Sequence, residues 1–252
     1  MTEWGAQPFW KPRYADLDLQ VDRDLAQQPQ NWLVFADTDG RAGRVVDRLR
    51  AAGHRVVEVI AGDAFGQVSD DRYTLAPEQG RGGYDQLVAA LRAEEGAFPD
   101  RIAHFWLTDD AAAPRPGSST FDRNLEQGFW SLTWLSQALI EAGVDVALHL
   151  SVVTSGATSA DGSVVVYPEK ALIAGPVGVV ARELPGMTAA QIDMDVLLTP
   201  EPDKWWQGPA VEDEASEGNT ITILQELMAT PANTTAAHRG EKRFELTYRS
   251  VP

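Results

Sequence analysis

The chain has 252 residues, 44% of them hydrophobic, a net charge of -16 and no cysteine. That length allows one large α/β domain or two small ones with a sizeable core, and the missing cysteines exclude disulfides and thiolate metal sites. The negative balance repels phosphate backbones and anionic lipid, which argues against nucleic-acid or membrane-surface partners. No stretch approaches the roughly 18 apolar residues of a membrane span. Met1-Thr2-Glu3-Trp4 lacks the basic start of a signal peptide. A cytoplasmic placement is the expectation.

Residues 1–30 read as an irregular N-terminal arm, within which Trp10-Lys11-Pro12-Arg13 is either an edge strand or a docking arm. Residues 31–252 read as one Rossmann-like domain. Trp32 to Ala36 is a short apolar run, as in a buried parallel strand. Arg41 to Ala52 places Val45, Val46 and Leu49 on one helical face, and Gly53 stops it. Arg55 to Ile60 is a second strand, and Tyr73 to Leu75 fits a short one. Tyr84 to Glu95 predicts a helix, and Arg101 to Leu107 a strand. Asp109 to Ser119 is a loop. Phe121 to Ala142 predicts a long helix, because Leu125, Phe129, Leu132, Leu135 and Leu139 recur at helical spacing.

Val146 to Val153 predicts the next strand, and Pro168 to Glu183 a helix with proline in its first turn. Gln191 to Val196 predicts a further strand. Residues 200–218 read as an acidic loop, and Thr220 to Met228 as a helix. Thr235 to Leu246 reads as strand, glycine turn, strand. Strands alternating with helices imply α/β: a truncated Rossmann-like, doubly wound, mostly parallel sheet with flanking helices.

A dinucleotide site needs glycines after the first strand, so that a pyrophosphate can rest on a helix N-terminus. Here that turn is Asp37-Thr38-Asp39-Gly40-Arg41-Ala42-Gly43. Carboxylates at the helix start satisfy the free N–H groups and repel a pyrophosphate. The plain expectation is that Asp39 or Thr38 caps the helix and that no cofactor binds. A short-chain reductase also needs a Tyr to donate a proton and a nearby Lys to lower its pKa. Ser155, Tyr167 and Lys170 approximate that set, although the Tyr-to-Lys gap is one residue short and Pro168 follows Tyr167. The plainer alternative is a capping Tyr and a surface Lys.

His54, His104, His149 and His238 lie on separate elements without metal spacing. His104 and His149 fall on adjacent predicted strands and read as core histidines. Asp193 and Asp195 alternate along one strand and so face one side; solvated or capping carboxylates are the expectation. Trp205-Trp206 is an interaction patch or tucks onto its own domain.

Several stretches together resemble the structural subdomain of the ketoreductase of type I polyketide synthases. They are Trp32 to Asp37 with Leu49 to Val57, His104-Phe105-Trp106, Gly128 to Leu132 with Leu135 to Leu139, and Val152 to Ala157. Pro168-Glu169-Lys170-Ala171, Gly175-Pro176, Glu183-Leu184-Pro185-Gly186 and Arg239 to Phe244 complete the set in order. The resemblance implies a noncatalytic first half that binds no cofactor. It would support a second half carrying the NADPH loop and the Ser-Tyr-Lys-Asn chemistry, or stand as the inactive remnant of such a pair. It implies a catalytic half or neighbouring synthase domains as partners, with an acyl carrier protein reached indirectly. Pro252 would fall about where the second half begins. Two alternatives stand beside it. One is a standalone short-chain-type reductase using Tyr167 and Lys170. The other is a protein-interaction module of a multienzyme, with Trp4, Trp10 and Trp205-Trp206 as contacts.

Overall fold

A computed structural model describes residues 5–13, 25, 28–38, 40–94, 98–108, 119–196 and 213–251. Trp4, Asp39, the 109–118 part of the predicted loop and Trp205-Trp206 lie outside the described residues. The strands are β1 Gly5–Pro12, β2 Asn31–Ala36, β3 Arg55–Ala61, β4 Gly66–Ser69, β5 Arg72–Leu75, β6 Arg101–Leu107, β7 Leu148–Ser155, β8 Met187–Met194, β9 Thr234–Arg239 and β10 Lys242–Val251. The helices are α1 Arg41–Ala51, α2 Gly82–Ala93, α3 Ser119–Leu125, α4 Ser131–Glu141, α5 Ala174–Glu183 and α6 Asp213–Met228.

The strands form one sheet in the order β1-β10-β9-β8-β7-β6-β2-β3-β5-β4. From β5 across to β9 every neighbouring pair is parallel. Strands β4, β10 and β1 add antiparallel margins. Parallel neighbours need crossovers, and the crossover helices cover both faces. Leu87, Leu91, Leu132, Leu135, Val177 and Val180 from α2, α4 and α5 fill one core. Val45, Val46, Leu49, Ile223, Leu224 and Leu227 from α1 and α6 fill the other. The doubly wound sheet expected from the alternation is the fold. Among the described residues no helix is long and apolar enough to cross a membrane.

Departures from the expected elements have local causes. Trp10 to Pro12 belongs to an edge strand, because the whole of β1 pairs with β10. Strand β8 begins at Met187, four residues before the expected start. Thr188-Ala189-Ala190 carries little strand propensity, but β7 brackets it along its length and β9 joins from Ala190. The predicted long helix is interrupted by a π-turn at Glu126–Trp130. There the Gly128 backbone lies so close to β6 that a Cβ would come within 2.7 Å of Leu107 Cδ1. Helix α6 starts at Asp213, inside the segment read as a loop. Pro168–Ile173 is a 3-10 turn that runs into α5.

His104 and His149 do lie on adjacent strands, in the core. The His104 ring shares a 3.2 Å hydrogen bond with Ser131 Oγ and stacks on Phe35. His149 Nδ1 is 2.7 Å from Thr188 Oγ1. Burial lowers the His104 pKa to about 3; burial and then Arg101 lower that of His149 to about 4. Both values fall below the ~6.5 of an unfolded histidine. The unfolded chain therefore binds more protons than the folded one in between, and stability falls as pH drops through that window. The contribution is complete above about pH 6.5 and gone below the folded values. Denaturant unfolding should show stability declining from pH 7 to pH 5, and His149→Gln should flatten part of that slope. A profile already flat in the parent chain would contradict it.

Candidate functional site

In open α/β sheets ligands bind beyond the carboxyl ends of the strands, where the winding reverses. Strand β2 lies between β3 and β6, so the reversal falls between β2 and β6. Asp37 follows β2 there. Its Oδ2 accepts from Arg41 N at 3.2 Å and its Oδ1 from Ala42 N at 3.1 Å. Asp37 therefore meets the first N–H groups of α1, a role expected of Thr38 or Asp39. Thr108, just past β6, has its Oγ1 2.7 Å from Asp37 Oδ2 and 2.8 Å from Phe105 O, so its single hydroxyl proton is shared between the two acceptors. The contact with Asp37 spans the crevice.

The structure brings Ser155, Tyr167 and Lys170 together. Ser155 closes β7 and donates its Oγ to Thr108 O at 3.3 Å. Lys170 Nζ donates to Ser155 Oγ at 3.0 Å and lies over the Tyr167 ring, 4.0 Å from its centroid. Backbone bonds hold the arrangement. Tyr167 N donates to Gly156 O at 3.0 Å, and Lys170 N to Tyr167 O at 3.1 Å. The alternative of a surface Lys is overturned: Lys170 is 0% exposed and Tyr167 2%. Pro168–Ile173 is a 3-10 turn with proline at its start, and it places the buried Lys170 over the Tyr167 ring from the i+3 position.

Sequence reasoning passed over Thr108, Asn124 and Glu169. Asn124 Nδ2 donates to Glu169 Oε1 at 2.6 Å, and both are buried. Glu169 Oε2 has no partner among the described residues. An Asn inside a helix followed by a π-turn carries no readable spacing signal. Only the fold carries Asn124 to the 3-10 turn.

Asp193 and Asp195 brace neighbouring turns. Asp193 is buried and accepts from Thr154 Oγ1, Ala157 N, Thr158 N and Thr158 Oγ1 at 2.8–3.0 Å. It also pairs with Arg239. Asp195 Oδ2 accepts from Gly240 N at 2.6 Å. The capping expectation fits Asp193, whose burial excludes the solvated one. His54 and His238 are far apart in use: His54 Nε2 is 2.9 Å from Leu25 O and His238 Nε2 is 2.6 Å from Glu226 Oε1. No group of three or more metal-ligating side chains gathers among the described residues.

The chain is similar over its whole length to two solved structures. One is the adenylation, ketoreductase and pseudo-Asub multidomain structure of a keto acid-selecting NRPS module, at 20% identity and TM-score 0.74. The other is an N-terminal ketoreductase from the macrolactin assembly line, at 14% identity and TM-score 0.71. It covers 99% and 98% of this chain but spans only 19% and 45% of those two. A short-chain dehydrogenase/reductase-family oxidoreductase from Brucella ovis, in complex with a partially ordered NAD, matches 84% of the chain and all of that protein, at 12% identity and TM-score 0.55. No curated protein matches the chain. The resemblance to ketoreductases thus holds at the level of fold. A family model described as beta-ketoacyl synthase-like, N-terminal, matches residues 30–195. That is about two thirds of the chain, and the chain belongs to this family.

Proposed function

We propose that this chain is a noncatalytic Rossmann-like scaffold. It supports an NADPH-dependent β-ketoacyl reductase half, or its inactive remnant, within a type I polyketide synthase. The observation that carries this reading is the hydrogen-bonded chain Asp37–Thr108–Ser155–Lys170 across the ligand crevice. A dinucleotide would need the N–H groups of α1 for its pyrophosphate. Asp37 already holds two of them, and its charge repels a second anion at that spot. The residues present do not fit the cofactor, so no hydride step is assigned to them. Titration of the full chain with NADPH tests the reading. No saturable binding is expected up to about 1 mM, and a micromolar Kd overturns it.

A second reading is favoured by one observation, the convergence of Ser155, Tyr167 and Lys170. In a standalone reductase Tyr167 would supply the proton and Lys170 would polarise it. In the scaffold, Lys170 is a core post held by a hydroxyl and a ring face. Replacing a buried charge by an apolar side chain of similar volume is often neutral or stabilising. Lys170→Met should therefore leave the melting temperature unchanged or raised. Turnover of a ketone substrate that disappears in both Lys170→Met and Tyr167→Phe would instead establish the reductase.

A further inference from the structure

Helix α5 turns a run of small residues toward the margin of the sheet. Ala174, Gly178 and Ala181 recur at spacings of four and three and so share one helical face. A Cβ on Gly178 would meet nothing within 4 Å. A recess of about 470 Å³ opens there, between α5 and strands β8, β9, β10 and β1. It is separate from the crevice between β2 and β6.

The floor of the recess carries a buried polar side chain. Gln191 stands on β8 two residues after Ala189, on the same face of the strand, and both line the recess. Gln191 is 3% exposed, yet its carboxamide has no hydrogen-bond partner among the described residues. A buried amide without a partner is costly and rare. Thr235, its neighbour on β9, borders the same space. Asn233 Oδ1 accepts from Ala189 N at 2.9 Å, which leaves its Nδ2 to donate. The remaining wall is apolar, with Val177 from α5 and the cross-strand pair Leu246 and Trp10. The charged lining residues are Arg182, which is exposed, and Glu245, which is held by Arg243 at 3.3 Å and Arg13 at 3.6 Å. Apolar walls with a few placed polar groups are the usual form of a small-molecule site.

We propose that this recess binds a small neutral molecule with a carboxamide on an apolar body. The Gln191 carboxamide offers two donors and an acceptor. A ligand carboxamide presents the complement along one edge: its N–H donates to Gln191 Oε1 while its carbonyl accepts from Gln191 Nε2. A carboxylate or ammonium beside Gln191 would lose its water with no counter-ion on the floor to replace it. The apolar body lies against Val177, Leu246 and Trp10, where its removal from water drives binding. The proposal goes beyond the scaffold reading and does not depend on it.

Titration of the full chain with 3-phenylpropanamide, followed by ligand-observed NMR, tests it. Saturable binding with a Kd on the order of 1 mM is expected for a probe this small. Methyl 3-phenylpropanoate keeps the ring and the carbonyl but has no N–H, and it should bind at least about tenfold more weakly, because Gln191 Oε1 is left without a donor. Gln191→Leu should weaken binding of the amide at least about tenfold. Its melting temperature should be unchanged or raised, since an apolar group replaces an unpartnered amide. Gly178→Leu should fill the recess in a folded chain and abolish binding. Equal affinity for amide and ester, an unchanged Kd in either folded variant, or no saturable binding to the parent chain overturns the proposal.

Discussion

Asp193→Ala should lower the melting temperature by on the order of 10 °C. Asp193 gathers the end of β7, the turn after it and a hairpin onto one carboxylate. It receives the N–H groups of Ala157 and Thr158 after β7, two threonine hydroxyls, and the Arg239 guanidinium from the end of β9. Truncation leaves the Arg239 charge, itself 9% exposed, without that carboxylate. Removing one partner of a buried ion pair costs about 3–5 kcal/mol, and each kcal/mol shifts the melting temperature of a chain this long by about 2–4 °C. Adding Arg239→Met to Asp193→Ala should recover part of the loss, because the charge left with only the half-exposed Asp195 as its partner is then gone. A single-variant cost within about 1 kcal/mol of zero would overturn this account. Calorimetry on both variants decides it.

Gly156→Ala should destabilise by about 2–4 kcal/mol, the sum of a left-handed backbone penalty and overpacking. Gly156 has φ +63°, and a Cβ there would lie 2.5 Å from Val196 Cγ2 and 3.1 Å from Tyr167 Cδ2. Val196 is a side-chain end that can shift. Tyr167 is buried and tied back to Gly156 O by its own N–H. The strain therefore passes into the Tyr167–Lys170 pair. Gly162→Ala is the control: its φ is +89° but nothing lies within 4 Å. It should lose only the backbone part, about 1 kcal/mol. Equal losses in the two variants would show that contact with Tyr167 contributes nothing.

Much of the fold was readable because its signals are local. The β2–α1–β3 unit follows from one apolar run and from Val45, Val46 and Leu49 at helical spacing. The α4 core face follows from Leu132, Leu135 and Leu139 in the same way. What escaped was structure made by neighbours. Strand β4 is short and exposed, and only its pairing with β5 defines it. The early start of β8 comes from partners on either side. At the π-turn Gly128 seats against Leu107 and Ile173, residues distant in the chain.

The candidate site divides along the same line. The carboxylates after β2, and the absence of a phosphate-binding glycine loop beside them, are visible in the residue order, because a strand-to-helix turn is a local object; that Asp37 rather than Thr38 or Asp39 meets the helix N–H groups is not. The burial of Lys170 is not. Its spacing from Tyr167 fits a surface cap as well as a catalytic pair. The outcome depends on where β7 ends, how the 3-10 turn lies over it, and whether Ser155 Oγ is within reach of Nζ. Those distances belong to chain segments that meet only when the sheet is assembled. The acidic, glycine-poor character of the turn was thus written in the order of residues, while tertiary packing alone decided that the crevice closes on Asp37, Thr108, Ser155 and Lys170.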